Sequence, residues 1–293
     1  MHLVSFSKDG ELRIGILDRG TQEIVDVRAV EATFTHSMLA LIEQGVDAIV
    51  KLREIFISGD GRLPIEDVQL RAPIPMLKRN IFCVGKNYAD HVGEVNTIMQ
   101  TDANGLPSSP IFFSKATTSL IATGEPILAS LDHTDSVDYE GELAVVIGKR
   151  GRGISTTDAM SYIFGYTILN DVTSRRLQKR HEQWFLGKSL DSFCPLGPSI
   201  VTRDAVSNVD ELVIETHVNH ELRQWGQVKQ MIFSIPELIS TLSQSMTLLP
   251  GDVIATGTPS GVGMGFKPPR FLKPGDHVSV SIEPIGTLVN TVE

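Results

Sequence analysis

The sequence predicts an α+β fold whose larger part is rich in β-strands. Many short apolar runs are separated by Gly and Pro turns, helical patterns are few, and a proline-rich stretch divides a short N-terminal segment from the rest. The 293 residues are enough to bury two cores. We therefore expect a small N-terminal α+β domain over residues 1–72 and a larger β-rich domain over residues 73–293.

The N-terminal segment alternates strand-like runs with Gly/Asp turns at residues 3–6, 12–17 and 24–27. A helical pattern follows over residues 37–55. Three prolines among extended residues then make residues 63–76 a connector rather than a helix or an interior strand.

The larger segment carries most of the predicted strands, at residues 80–84, 110–114, 141–148, 164–170, 211–218, 252–256 and 277–283. Its predicted helices cover residues 157–162, 175–184 and 234–244, and the last has Pro236 in its first turn. No internal repeat appears, so we expect these helices to pack on a compact sheet.

Composition excludes several functional classes. The net charge of -9, without a cluster of Lys and Arg interleaved with aromatic residues, argues against nucleic-acid binding. No apolar run approaches the ~20 residues that cross a membrane, and no signal peptide is evident, so we expect a cytoplasmic protein. Cys83 and Cys194 lack metal-ligand spacing and are expected to be buried, reduced thiols.

Carboxylates alternate at the start of the apolar run over residues 137–147. If that strand begins early, its period of two puts Asp138, Glu140 and Glu142 on one face. Two like charges ~4 Å apart repel by roughly 4 kcal/mol at an effective dielectric constant near 20, so the cluster indicates a compensating divalent cation. The alternative is that Glu140 and Glu142 line the solvent face of an edge strand.

A third carboxylate, Asp171, ends the apolar run over residues 164–170. Three carboxylates without Cys or His ligands suit Mg²⁺ or Mn²⁺ better than Zn²⁺, and such a set also accepts Ca²⁺.

His91 and Glu94 follow the strand predicted at residues 80–84 and would be neighbours in a helix, at i and i+3. A carboxylate beside an imidazole fixes its tautomer and stabilises its cation, which suits a general base. The alternative is an ordinary contact between two surface side chains.

Five segments together resemble the fumarylacetoacetate hydrolase family in order and spacing, over roughly residues 75–293. They are GKNYADHVGE (85–94), YEGELAVVIG (139–148), GYTILNDVTSRRLQ (165–178), GKSLDSFCPLGP (187–198) and GTPSGVG (257–263). The resemblance implies a mixed β-roll catalytic domain, a homodimer and a site for Mg²⁺ or Mn²⁺. The segment before residue 72 is similar to the extra domain of longer bacterial members.

Residue by residue, the resemblance implies that the metal ligands are Glu140, Glu142 and Asp171 and that the catalytic residues are His91, Glu94 and Lys188. The substrate-binding positions are Arg175, Gln178 and Thr258. Val84 stands where animal members carry a further Asp ligand, so the chain resembles the branch with three carboxylates.

From this resemblance we expect a metal-dependent hydrolase that cleaves a C–C bond in a 2,4-dioxo acid. Two alternatives stay open: a decarboxylase or isomerase of oxaloacetate or another 2-oxo dicarboxylate at the same site, and a catalytically silent metal-binding protein. Residues 95–109 are either a mobile lid over a 2-oxo acid substrate or a plain surface loop.

Overall fold

The computed structural model of the chain describes residues 1–35, 37–99 and 105–293, without the side chains of residues 95–99. In these residues the strands form a large sheet of 12 strands, a second sheet of four and a pair of two-residue strands. Few helices accompany them. The predicted α+β class, dominated by strands, is confirmed.

The N-terminal elements build one edge of the large sheet. They are β1 (His2–Lys8), β2 (Glu11–Asp18), β3 (Glu23–Asp26), α1 (Val27–Val30), α2 (Met38–Gln44), α3 (Val46–Ser58), β4 (Arg62–Pro64) and β5 (Gln69–Arg71). The three strands predicted before residue 28 are all present. Two short strands, β4 and β5, lie in the stretch predicted to be an irregular connector.

The helix predicted over residues 37–55 is two helices that meet at Gly45. This residue has φ +66°, a left-handed conformation that glycine adopts without a steric penalty. Its N–H donates to the carbonyl oxygens of Leu41 and Ile42, which ends α2, and α3 starts at the next residue. Periodicity continues across the break and therefore did not reveal it.

The remaining elements follow the connector. They are β6 (Ile81–Gly85), α4 (Ala89–Met99), β7 (Ile111–Lys115), β8 (Leu120–Ile121), β9 (Val137–Asp138), β10 (Gly141–Ile147), β11 (Ile163–Asn170), β12 (Thr173–Ser174), α5 (Arg175–Arg180), α6 (Phe185–Lys188), β13 (Cys194–Thr202), β14 (Val213–Val218), β15 (Glu221–Gln227), α7 (Ile235–Ser245), β16 (Val253–Ala255), β17 (His277–Ile282) and β18 (Gly286–Thr291).

The predicted helices in this part are confirmed unevenly. Helix α7 is present and has a capping box in which Ser234 and Glu237 satisfy each other's backbone N–H groups. The helix predicted over residues 175–184 ends early, after α5, and α6 adds one further turn. The one predicted over residues 157–162 is a short 3₁₀ turn at Ala159–Tyr162.

The large sheet runs in the order β4-β3-β2-β1-β13-β11-β10-β16-β6-β7. Strand β13 joins the N-terminal strands to the others, because it pairs with β1 on one side and β11 on the other. Its prolines and glycine are turn signals in the sequence, and β13 was therefore not predicted as a strand. Strands β15 and β18 were also missed.

Two hydrophobic layers cover this sheet. One layer combines residues of α2 and α3 with residues of the central strands, for example Leu41, Leu52, Ala144 and Leu196. The other lies between the large sheet and the four-stranded sheet β15-β14-β17-β18. Residues of both segments share one sheet and one core. The domain boundary at residue 72 stays a prediction.

Candidate metal centre and active site

The pairing of β10 with β11 brings two of the predicted ligands together. The strands are antiparallel and Gly141 lies opposite Asn170, so the residue before β10, Glu140, and the residue after β11, Asp171, are neighbours. The backbone N–H of Asp171 donates to the carbonyl oxygen of Glu140 at 2.8 Å, and the N–H of Glu140 donates to Asn170 Oδ1 at 3.0 Å.

The carboxylates of Glu140, Glu142 and Asp171 form a buried triad. One oxygen from each lies within 4.8 Å of the others, and the residues are 5%, 1% and 0% exposed. The solvent-face alternative for the two glutamates is therefore wrong.

Asp138 does not join the triad, because the chain leaves the strand geometry between β9 and β10. Its carboxylate instead accepts hydrogen bonds from the backbone N–H groups of Gly263 at 2.6 Å and Met264 at 3.0 Å and pairs with Arg175 Nε at 2.8 Å. The prediction that the strand begins early enough to put Asp138 on one face with Glu140 and Glu142 is therefore wrong.

Among the described residues, three buried cations contact the triad: Lys115 contacts Asp171, and Lys188 and Arg175 both contact Glu140. Lys188 Nζ lies 2.6 Å from Glu140 Oε2 and 2.7 Å from Asp171 Oδ2, while Arg175 Nη1 lies 2.6 Å from Glu140 Oε1. Burial alone would raise the pKa of Glu140, but the charges of Lys188 and Arg175 outweigh it and hold that pKa well below its usual range.

Glu142 has the opposite balance. Burial, together with the negative charges of Asp171 and Glu140, raises its pKa well above the usual value. The N–H of Gly257 donates to Glu142 Oε2 at 2.7 Å. Gly257 has φ +103°, and a Cβ there would lie 2.8 Å from Cβ of Asn87, so glycine is required where the loop approaches the triad.

The triad fits a divalent cation. Lys188 Nζ, lying between Glu140 and Asp171, shows that a positive charge is stabilised at that position, and Glu142 supplies a further carboxylate that lacks a side-chain cation of its own among the ion pairs of the described residues. Oxygen donors alone are the chemistry that hard ions such as Mg²⁺, Mn²⁺ and Ca²⁺ prefer.

His91 and Glu94 lie in the first turns of α4, as predicted. His91 Nδ1 is 3.3 Å from Glu94 Oε2, and Glu94 also accepts the N–H of Gly261 at 3.2 Å. His91 is 6% exposed, so the alternative of a surface contact is wrong.

A cavity of about 100 Å³ connects the triad with His91. It is lined by Val84, Gly85, Lys86, His91, Phe113, Glu140, Glu142, Arg175, Gln178, Trp184, Lys188, Thr258 and Met264. Seven of the nine sequence-predicted site residues are in this lining; Asp171 lies fully buried and Glu94 lies against His91. One donor, Nη2 of Arg175, is buried and has no hydrogen-bond partner among the residues that the structure describes.

Comparison with known proteins accounts for this arrangement. The sequence pattern described as "Fumarylacetoacetate (FAA) hydrolase C-terminal" matches residues 80–293. The chain belongs to the fumarylacetoacetate hydrolase family. It is 52% identical over 234 residues to the oxaloacetate tautomerase YisK of Bacillus subtilis, a match that covers 80% of this chain and 76% of that protein.

Two solved structures of the family extend the similarity to the whole chain. A fumarylacetoacetate hydrolase from Exiguobacterium antarcticum is 44% identical with a TM-score of 0.87, and the match covers 100% of this chain and 99% of that one. A maleylpyruvate hydrolase from Sphingobium sp. SYK-6, in complex with manganese(II) and pyruvate, is 30% identical with a TM-score of 0.80 over 100% and 98% of the chains. The N-terminal segment is thus part of the shared structure.

These findings identify the chain as an enzyme of the family with a divalent-metal site. No helix in the described ranges is long and apolar enough to cross a membrane.

Four residues of the site were not assigned to it from the sequence: Lys115, Trp184, Phe113 and Gly85. Lys115 is fully buried and contacts Asp171, although the sequence shows only a lysine at the end of an apolar run. Trp184 packs edge to face on Phe113 with ring centres 5.3 Å apart, and both line the cavity. Gly85 permits this wall, because a Cβ there would lie 2.4 Å from Trp184 Cζ3.

The predicted lid over residues 95–109 lies largely outside the described residues, since residues 100–104 and the side chains of residues 95–99 are not part of the description.

Proposed function

We propose that this protein is a divalent-metal-dependent enzyme that interconverts the keto and enol tautomers of oxaloacetate. The observation that carries the proposal is a small cavity in which a buried carboxylate triad faces a histidine already oriented by a carboxylate. The 52% identity to an oxaloacetate tautomerase supports this reaction over the C–C hydrolysis expected from the sequence.

The size and charge of the cavity suit a small dianion. About 100 Å³ is well below the roughly 300–1,000 Å³ of pockets for drug-sized ligands. Arg175 Nη2 is the donor available to a substrate carboxylate, because its other nitrogens are bound to Asp138 and Glu140 or to Gln178. Gln178 and Thr258 add polar groups to the same lining.

His91 is placed to move the proton. Tautomerisation transfers a proton between C3 of the keto form and the solvent or an acid-base group, while the C2 oxygen gains or loses one. With Nδ1–H donated to Glu94, the Nε2 lone pair of His91 is the base for the C3 proton, and Glu94 stabilises the resulting imidazolium. The N–H of Gly261 fixes Glu94 in this position.

Lys188 lines the cavity, and its ammonium contacts two carboxylates of the triad. Its ammonium can stabilise negative charge that develops on the C2 oxygen of the substrate. A Mg²⁺ or Mn²⁺ ion held by Glu140, Glu142 and Asp171 would add Lewis-acid polarisation of the 2-oxo group.

The test follows the ultraviolet absorbance of enol-oxaloacetate by stopped flow, with metal-stripped protein to which Mg²⁺ or Mn²⁺ is returned. We expect conversion to the keto form far above the rate in buffer with the metal alone, and loss of this excess in Glu142→Gln. Equal rates with and without the protein would overturn the proposal.

Hydrolysis of a 2,4-dioxo acid is a second candidate, favoured by the His91–Glu94 pair and by the similarity to a maleylpyruvate hydrolase. In that reaction His91 would take a proton from water, and hydroxide would attack the distal carbonyl. Acetylpyruvate is the probe: acetate and pyruvate in equal amounts indicate hydrolysis, whereas pyruvate and CO₂ from oxaloacetate indicate decarboxylation. Silence with every substrate would support a metal-binding protein without catalysis.

The homodimer implied by the family is a further proposal, and light scattering of the purified protein measures it directly. A cytoplasmic location likewise remains a prediction from the sequence.

A further inference from the structure

The cavity beside the triad has a polar side and an apolar side. On the polar side, Arg175 and Lys188 line the cavity and contact the triad. The apolar members of the lining are Val84, Phe113, Trp184 and Met264. An apolar wall offers a carboxylate no hydrogen-bond donor, so the charged groups of a substrate belong on the polar side. The apolar side therefore decides how much uncharged chain the cavity accepts.

Trp184 is placed on this apolar side by the helical turn that carries Lys188. The two residues are four apart, and the backbone N–H of Lys188 donates to the carbonyl oxygen of Trp184 at 3.1 Å. Side chains at i and i+4 lie on the same face of a helical turn, and both of these line the cavity. The carbonyl oxygen of Lys188 accepts a hydrogen bond from the buried ammonium of Lys115, which holds the end of the turn against the site.

The indole of Trp184 is packed between β6 and β7. The ring of Phe113, in β7, lies edge to face with the indole at 5.3 Å between centres, and its centre is 5.1 Å from Lys188 Nζ. Both arrangements are favourable for an aromatic ring. At the end of β6, a Cβ on Gly85 would lie 2.4 Å from Cζ3 and 2.9 Å from Cη2 of the indole. The indole thus has little freedom to move aside.

The same indole separates the cavity from solvent. Trp184 is partly exposed and the next residue, Phe185, is exposed, whereas Gly187 and Lys188 at the other end of the turn are buried. A side chain that lines a cavity and also contacts solvent is a wall between the two. Replacing the indole with a small side chain would open the apolar side of the cavity and leave the groups of the polar side in place.

We propose that Trp184 is a specificity-determining residue that limits the enzyme to 2-oxo acids with short chains, such as the four-carbon oxaloacetate. The inference rests on the proposed function and deepens it by naming the chain length that the cavity admits. A packed site rejects added methylenes when its side chains cannot move aside, and the indole is held by Phe113 and by its close approach to β6. A 2,4-dioxo acid with a long acyl chain would meet the same wall.

The experiment measures the Kd of straight-chain 2-oxo acids by isothermal titration calorimetry, with the protein saturated with Mg²⁺. The probes are 2-oxobutanoate, which has four carbons, and 2-oxohexanoate, which adds two methylenes. For the wild type we expect the Kd of 2-oxohexanoate to be at least about tenfold higher than that of 2-oxobutanoate. For Trp184→Ala we expect the ratio of the two Kd values to fall to about one or below, because the longer chain then has room and buries apolar surface.

The ratio separates specificity from a general structural effect, because a distorted site weakens both ligands alike. Phe185→Ala is the matched control. Phe185 is the adjacent aromatic residue, is 41% exposed and is absent from the cavity lining, so this variant should keep the wild-type ratio. If Trp184→Ala fails to fold, Trp184→Phe, which keeps a ring beside Phe113, takes its place with a smaller expected fall in the ratio.

An unchanged ratio in Trp184→Ala would overturn the role of Trp184, and so would equal Kd values for the two acids in the wild type. Failure of the wild type to bind either acid would also overturn it, because the apolar side would then hold no part of a 2-oxo acid. The proposed function is tested separately, by the conversion of enol-oxaloacetate, so each of the two proposals can fail while the other stands.

Discussion

The metal centre and the N-terminal unit, residues 1–72, lie on one sheet, but the first buries charged side chains and the second buries apolar ones. At the centre, carboxylates and cations are buried together, and burial raises the pKa of Glu142. In the N-terminal unit, α2 and α3 bury apolar side chains such as Leu41 and Leu52 against the sheet. Buried charge that is not fully paired costs stability, whereas apolar burial supplies it. We infer that the residues that act in catalysis and those that stabilise the fold lie in different parts of the molecule, and substitutions can test this.

The largest expected effect is the loss of activity in Glu142→Gln. The amide removes a negative metal ligand, and since a metal ion supplies several kcal/mol to such a reaction, we expect the rate to fall at least about 10⁴-fold. The metal-free variant should melt at the same temperature as the wild type or higher, because like-charge repulsion with Asp171 and Glu140 is relieved. A clear decrease in the Tm of the metal-free variant would contradict the proposed separation.

His91→Asn tests the centre without touching the triad. Loss of a general base commonly costs about 10²–10⁴-fold, and we expect kcat to fall by about 10²-fold or more. The Kd for Mn²⁺ should change less than about threefold, because His91 is not one of the three ligand residues. Stopped flow and a titration with Mn²⁺ give the two quantities, and a parallel loss of metal binding would assign His91 to the metal site instead.

Leu52→Ala tests the N-terminal unit. Leu52 is fully buried in α3, and its truncation leaves a cavity, so we expect the free energy of unfolding to fall by about 2–5 kcal/mol. Urea unfolding measures this loss. The value of kcat at a temperature where the variant is folded should match the wild type. Val46→Ala, at an exposed position of the same helix, is the control, and a large loss of kcat in Leu52→Ala would show that this unit shapes the site.

The smallest expected effect is a pH dependence of the free energy of unfolding. It comes from His2 in β1, the strand that pairs with β13 and so links the N-terminal strands to the rest of the sheet. Burial, and then the positive N-terminal amine and Arg19, lower the pKa of His2 to about 4. The unfolded chain, with a pKa near 6.5, therefore binds more protons between those values, and stability falls as the pH drops through that window. Because His2 is only half-buried, we expect the loss to be no more than about 1 kcal/mol.

Urea unfolding at about pH 7 and about pH 5 measures this effect, and His2→Asn should remove the difference that His2 contributes. An equal pH dependence in the wild type and the variant would show that His2 titrates as it does in the unfolded chain.

Much of the fold could be predicted from the sequence because periodicity and turn residues act locally. The first three strands, β10, β11 and helix α7 follow from alternation, apolar runs and the position of Pro236 in the first helical turn. Strand β13 was missed because Pro195, Gly197 and Pro198 read as turns, although pairing with both β1 and β11 holds this segment extended. The break at Gly45 was missed because both helices keep one apolar face.

By itself the sequence determined the residue types of the site and their order along the chain. These predicted Glu140, Glu142 and Asp171 as oxygen ligands and His91 and Glu94 as a pair on one helix, and they identified the family by its motifs.

Only the tertiary structure decided which oxygen of each carboxylate is held and which remains for an ion. That depends on contacts such as Lys115 with Asp171, 56 residues apart, and the N–H of Gly257 with Glu142, 115 residues apart. Such contacts follow from strand register and from loop paths across the sheet, and local pattern carries no information about either.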